Sequence, residues 1–231
     1  MKVILDGIKE AIRLIFNFDQ EIMEVIFLSL KVSFISLLIA SLIAIPLGII
    51  IAKHQFRFKS ILMRLIYTFM GFPPVLCGLF VFLLLMRNGP LGSLQLNFTV
   101  PAMIIAQVLL IIPIIMGLTI SACKNRYSEV EMLAKTLGAN KFETFKLTLF
   151  ELKSGLLMAI VSGFSRSISE VGAVMLVGGN ISGETRVMTT YISQLKSMGD
   201  YERAIAVGII LLIISFIANS ILYHFQIKEG K

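Results

Sequence analysis

The run from Val32 to Ala52 contains no charged side chain. As a helix rising about 1.5 Å per residue it is about 30 Å long, the thickness of a bilayer's hydrocarbon core. It forms most of a first apolar block, Val25 to Ala52, with Lys31 near its start. Further uncharged blocks run from Leu65 to Met86, Thr99 to Ile120 and Ala204 to Ile227, and a fourth in order, Leu156 to Gly178, is interrupted only by Arg166 and Glu170. Hydrocarbon offers a backbone no hydrogen-bond partner, so a segment crossing it has to satisfy its own amides, as a helix does. The chain is therefore expected to be an all-α membrane protein with about five transmembrane helices in a single domain spanning residues 1–231. Only 15% of its residues are charged, against about 25% in soluble domains.

The formal charge of +7 raises the question of nucleic acid, but the basic residues are gathered in loops between apolar blocks, which topology explains better. Lys53 to Arg64 carries four Lys or Arg and the stretch from Lys124 to Lys153 six, while the loop between the second and third blocks has only Arg87. With five crossings both basic loops fall on one side, which the positive-inside rule makes cytoplasmic. The N-terminus is then outside, the C-terminus inside, in a cell membrane. Residues 1–24 hold five acids and three bases without the pattern of a cleavable signal. Leu5, Ile8, Ile12, Ile15 and Phe16 share a face opposite Lys9, Glu10 and Arg13, the pattern of an amphipathic helix lying in the interface. Pro46 and Pro113 lie inside blocks, and GFPPVLCG at Gly71 to Gly78 is expected to bend or interrupt the second.

Residues 124–155 form the longest polar stretch, KNRYSEVEMLAKTLGANKFETFKLTLFELKSG. Ser128 stands three residues before Glu131 and Asn140 three before Glu143, two spacings that satisfy free amides at a helix start. Gly138 and Gly155 follow where left-handed caps are usual. Two short helices are expected, Glu129 to Leu137 and Lys141 to Leu152, with Val130, Leu133 and Leu137 on one face and Phe142, Phe145, Leu149 and Leu152 on the other helix's face. Glu131 and Lys135 make an i,i+4 pair. Such a hairpin either packs on its own protein or is offered to a soluble partner.

Arg166 and Glu170 are the costliest residues, since a charge at the bilayer centre costs about 3 kcal/mol on insertion scales. Their spacing puts both on one helical face with Ser162 and Ala173, among small residues that let other helices approach. They either neutralise each other at a helix interface or set the field around an anion path. Catalytic groups are scarce. His54 and His224 are isolated, there is no phosphate-binding G-x-x-x-x-G-K-[ST] loop, and Cys77 and Cys123 have no metal-like spacing, which makes them packing residues. No cofactor and no enzymatic activity are expected, and any ATP use belongs to a partner.

Five blocks with an Ala- and Gly-marked polar hairpin before the fourth resemble the permease subunits of ABC importers, whose loop reads Glu-Ala-Ala, three residues, then Gly. Anchored on Gly138, that signature falls on Met132, Leu133 and Ala134, with Glu131 one position early and no closing Leu-Pro. SRSISEVGAVMLVGGNISG at Ser165 to Gly183, TRVMTTYI at Thr185 to Ile192, and Gly199-Asp200 are similar to the tungstate branch, beside the molybdate and sulfate permeases. The resemblance implies a homodimeric pore, two ATPase subunits whose clefts receive the hairpin, and an extracytoplasmic binding protein that delivers the oxyanion. By position it implies coupling through Glu131, Ala134, Gly138, Ala139 and Phe142. The path falls to Arg166 and Glu170, with Gly178, Gly179, Asn180, Thr189 and Thr190 toward the outer mouth. An ion-coupled carrier or channel is the rival reading, with a membrane-embedded enzyme behind it.

Overall fold

A computed structural model describes residues 2–124 and 126–229. Asn125 of the polar stretch and Gly230 and Lys231 of the basic tail lie outside the described residues. The fold is all-α. Helix α1 (Lys2–Phe16) leads through a short turn into α2 (Gln20–Lys53), where the Asp19 carboxylate accepts the Ile22 amide at 3.1 Å. Then come α3 (Lys59–Met70), α4 (Pro74–Leu85), a 3-10 turn at Gly92–Leu94, and α5 (Val100–Cys123). The polar stretch folds as α6 (Tyr127–Thr136) and α7 (Lys141–Glu151), followed by α8 (Lys153–Ile168), α9 (Gly172–Gly178), α10 (Met188–Met198) and α11 (Tyr201–Glu229).

Among the described residues three helices, α2, α5 and α11, are long and apolar enough to cross a membrane, and the count reaches five if two bent pairs each serve as one crossing. One pair is α3 with α4, bent by 101°. Pro73 and Pro74 sit at the bend, where a ring without an N–H is tolerated only at a helix start. The helix before that bend reaches back into the basic stretch, so the loop expected over residues 53–64 shrinks to His54–Phe58. Lys59 turns its ammonium onto the Ala52 and His54 carbonyls, at 3.0 Å each, which closes the end of α2. The second pair is α7 with α8, bent by 70° with Leu152 alone between them.

The centre of the bundle is α5, with 67% of its most apolar stretch buried against 33% for α2 and 22% for α11. Leu110, Ile111 and Ile115 of α5 pack with Leu37 and Ala40 of α2 and with Ala159 and Phe164 of α8. Between helices in lipid there is little hydrophobic gain, so close approach of backbones carries the packing. Gly163 shows this: a Cβ there would lie 2.8 Å from an Ile115 side-chain carbon. A separate cluster at the opposite end from the polar hairpin joins Ala11 and Leu14 of α1, Ile22 and Val25 of α2, Tyr191 of α10 and Val207 of α11.

Several sequence expectations are corrected. Ser128 caps nothing, because α6 starts one residue before it, at Tyr127, with Arg126 at the N-cap and no side chain accepting there. Gly155 lies inside α8 rather than after a helix end. The fourth apolar block is not one helix: it breaks at Ser169–Val171, which leaves Ala173 on a different helix from Arg166.

Candidate functional site

Two places gather the residues singled out above, the tip of the polar hairpin and the break between α8 and α9.

In the hairpin, Asn140 accepts the amides of Phe142 and Glu143 at 2.9 and 3.0 Å, and Glu143 accepts the Asn140 amide at 2.7 Å. Every early amide of α7 that a capping box can reach is satisfied. Gly138 closes α6 with a φ of +72°, and the Ala139 amide reaches back to the Ala134 carbonyl at 2.9 Å. This is a glycine-closed helix end of the Schellman kind. The expected single apolar face on α6 splits in two. Tyr127, Val130 and Ala134 are buried, whereas Met132 (70% exposed), Leu133 and Leu137 (79%) face away from the protein, as does Phe142 (65%) on α7. Glu131 stands between the Lys53 ammonium of α2 at 3.5 Å and that of Lys135 at 3.3 Å. Burial pushes its carboxyl up, and the two ammoniums outweigh that and hold it below its ordinary 4.5. Ala134 is fully buried, so its small size serves the hairpin's own packing.

At the break, Arg166 donates to Glu170 at 2.6 Å, with 30% of the arginine side chain and 2% of the glutamate side chain exposed. The other Glu170 oxygen accepts the Ala173 amide at 3.0 Å, at the start of α9. The carboxylate thus replaces the backbone acceptor that the break removes. Thr189 of α10 donates to the Glu170 carbonyl at 2.7 Å. Gln107 of α5 and Ser167 of α8 form a reciprocal pair, Ser167 hydroxyl to Gln107 at 2.8 Å and Gln107 amide to the Ser167 carbonyl at 3.2 Å. Ser165 donates to Asn219 of α11 at 2.9 Å. Four helices therefore meet around α8 where it breaks, each through a polar contact.

The small-residue contact behind this node joins α4, of the first bent pair, to α9. A Cβ on Gly78 of α4 would lie 2.6 Å from the Ala173 Cα, so only a glycine lets α4 and α9 lie this close.

The remaining candidates sit apart from Glu170. Gly179 and Asn180 form a left-handed turn after α9, with φ of +71° and +54°. Asn180 donates to Gln194 at 2.7 Å, and the Gly178 carbonyl accepts from Thr185. They are one length of α9, about 10 Å, from the break where Thr189 lies. Thr190 is fully buried and holds the start of α10, accepting the Val187 amide at 3.1 Å. The sequence reading missed Gln107 and took Ser167 only as one of the small residues that let other helices approach. Gln107, an amide alone in an apolar block, was the signal that pointed to it. Cys77 and Cys123 are both buried free thiols.

A helical membrane protein with a capped polar hairpin at one end, and a charged node where one of its spans breaks, has the build of a membrane transport component. The chain belongs to the family described as binding-protein-dependent transport system inner membrane components, whose model matches residues 44–228. It is 49% identical over 226 residues, 98% of this chain and 99% of the relative, to the tungstate uptake system permease protein TupB of Peptoclostridium acidaminophilum. TupB of Campylobacter jejuni is 34% identical over 96% of this chain and 93% of its own length. The sulfate transport system permease CysW of Synechococcus elongatus is 31% identical over 84% and 72%. These relatives are permeases, and the chain is a transport protein, not an enzyme.

Proposed function

We propose that the chain is the membrane permease of an ABC importer for tungstate, working as one domain with five crossings: α2, the bent pair of α3 and α4, α5, α8 continued by α9, and α11. The observation that carries the reading is the hairpin. It turns Met132, Leu133, Leu137 and Phe142 outward while Tyr127, Val130 and Ala134 hold it to the bundle. Large exposed apolar groups on a polar, basic loop fit a docking surface for a soluble partner, here the cleft of an ATPase. Gly138, Ala139 and Phe142 stand at its tip, and Glu131 ties it to α2. The count of basic residues supports a cytoplasmic hairpin, an external N-terminus and a cytoplasmic C-terminus. Likeness to TupB over nearly the whole of both chains supports tungstate as the oxyanion.

Ser154, Met158, Ser162, Arg166 and Ser169 recur every three or four residues along α8, each at least partly exposed. A mostly polar stripe of this kind does not face lipid, and a second copy of the chain across it encloses a path. In that path Arg166 attracts the anion and Glu170 competes with it, which keeps binding weak enough for release. Gly178, Gly179 and Asn180 stand toward the outer mouth, where an extracytoplasmic binding protein delivers its load. Thr189 and Thr190 hold α10 in place beside the path. ATP binding draws the two hairpins together and opens the path outward; hydrolysis resets it.

The test is reconstitution in liposomes with the candidate ATPase and binding protein. Tungstate uptake that needs ATP and all three components supports the reading. Uptake without any ATPase replaces it with an ion-coupled carrier.

A further inference from the structure

Two cavities on the flank of α2 meet at Phe27 and Lys31. The larger, of about 500 Å³, is an apolar groove walled by Phe34 and Leu37 of α2, Phe164 of α8 and Ala218 and Ile221 of α11. The smaller, of about 190 Å³, is polar and is lined by Glu24, Lys31, Ser182, Glu184 and Arg186 among others. Of these charges, Arg186 is paired with Glu21 at 2.7 Å, and Glu24 accepts a hydrogen bond from Gln20 at 3.1 Å. Lys31 and Glu184 are both exposed and, among the described residues, neither side chain has a partner. The smaller cavity thus offers one free cation, Lys31, beside two carboxylates without a cationic partner, Glu184 and Glu24, with an aromatic groove leading away from Lys31.

The depth of Lys31 is set by its neighbours. The uncharged run of α2 begins at the next residue and is about as long as the hydrocarbon core is thick, so Lys31 stands at headgroup level on the side away from the hairpin. Phe164 lies on the side of α8 opposite Ser162 and Arg166, since positions two apart on a helix point about 200° from each other. The groove therefore does not belong to the path.

We propose that this composite cavity binds one phospholipid with a primary-amine headgroup, of the ethanolamine type, from the leaflet opposite the hairpin. Its phosphate pairs with Lys31, its ammonium with Glu184 and the free oxygen of Glu24, and an acyl chain follows Phe34 and Leu37 down the groove. Charge complementarity selects this occupant: a zwitterion places its phosphate on the free lysine and its ammonium between the two carboxylates, where a lipid with a phosphate alone would leave them unmatched. A choline headgroup has no N–H to donate to a carboxylate, and a glycerol headgroup has no cation. The inference is independent of which anion the protein moves.

The test is native mass spectrometry of the purified full chain after exchange into nanodiscs of equal parts phosphatidylethanolamine, phosphatidylcholine and phosphatidylglycerol. Wild type is expected to retain the ethanolamine lipid selectively. Lys31→Gln should lower its retention by about tenfold, the loss of one charge-assisted contact. Glu184→Gln, on an exposed loop where folding is not at risk, should erase the preference for ethanolamine over choline lipid without lowering retention of the glycerol lipid. Equal retention of all three lipids by wild type overturns the proposal, as does an unchanged preference in Glu184→Gln. Spontaneous disulfide dimers of Phe34→Cys in native membranes would overturn it too, because the groove would then be a contact between copies.

Discussion

Gly138 allows the docking role proposed for the hairpin to be separated from its folding. Its φ of +72° is a conformation that L residues reach at a cost, and a Cβ built there meets nothing within 4 Å. Gly138→Ala should therefore destabilise the hairpin by about 1 kcal/mol, the left-handed backbone penalty alone. Gly138→Arg carries the same backbone penalty, and its longer side chain leaves into open space beside Leu137 and Phe142, so on the isolated permease the two variants should be nearly alike. Thermal unfolding should fall by about 2–4 °C for both. In the assembled transporter they should part. If the tip docks as proposed, an arginine there is pressed into the ATPase without a partner, and an unpaired buried charge costs about 3 kcal/mol or more, roughly a hundredfold in association. ATP-driven tungstate uptake in proteoliposomes, with ATPase co-purification measured alongside, should be close to wild type for alanine and abolished for arginine. Equal uptake by the two variants, or an alanine variant as inactive as the arginine one, would refute the argument that Gly138 sits at the contact.

Glu170→Gln keeps an acceptor for the Ala173 amide but leaves the Arg166 guanidinium without its counter-ion. It should cost about 3 kcal/mol, seen as a lowered melting temperature in detergent, and an unchanged melt would show that the pair contributes little. Gly78→Ala places a carbon 2.6 Å from the Ala173 Cα, which backbone cannot yield cheaply. A loss of about 1–3 kcal/mol is expected, with uptake falling in parallel, and a wild-type melt would mean that α4 and α9 are not held this closely. The Glu131 carboxyl, held low in the fold, contributes stability above its ordinary 4.5 that is lost as pH falls below it and through the folded value. Protection of the α6 amides, taken as exchange relative to the intrinsic rate at each pH, should fall over that acid range in wild type, and Glu131→Gln should remove that fall.

How much was legible depended on whether the signal was local. The Asn140 box, the Gly138 cap and the bend at Pro73-Pro74 are written in a few adjacent residues, and the structure has all three. The Arg166–Glu170 pairing followed from spacing alone. The break between those charges and Ala173 was hidden, since Ser169, Glu170 and Val171 include no helix breaker. What ends α8 there is tertiary: Thr189 takes the Glu170 carbonyl and the Glu170 carboxylate takes the Ala173 amide. Ser128 misled for the converse reason. It has a capping residue's chemistry, but α6 already begins at Tyr127, which is drawn in with Ile49, Cys123 and Leu152. The split face of α6 was equally out of reach, because Val130 and Leu137 are both apolar and only the packing of α6 on its neighbours decides which of them is covered.

The 70° corner between α7 and α8 makes the pair a crank. Leu152 is at once the residue that ends one arm and the residue that opens the other, and the turn at the far end of α7 is held by the Asn140–Glu143 capping box. A tilt of α7 about that corner is then a tilt of α8 through the same angle. Arg166 lies about 20 Å up the second arm, so a rotation of about 10° carries its guanidinium sideways by about 3 Å or a little more. Glu170 does not share that arm, being fastened to α9 and α10 by its own oxygens. On the proposed coupling, with the corner held at its angle, a modest turn at the hairpin end would draw the cation away from its resident carboxylate.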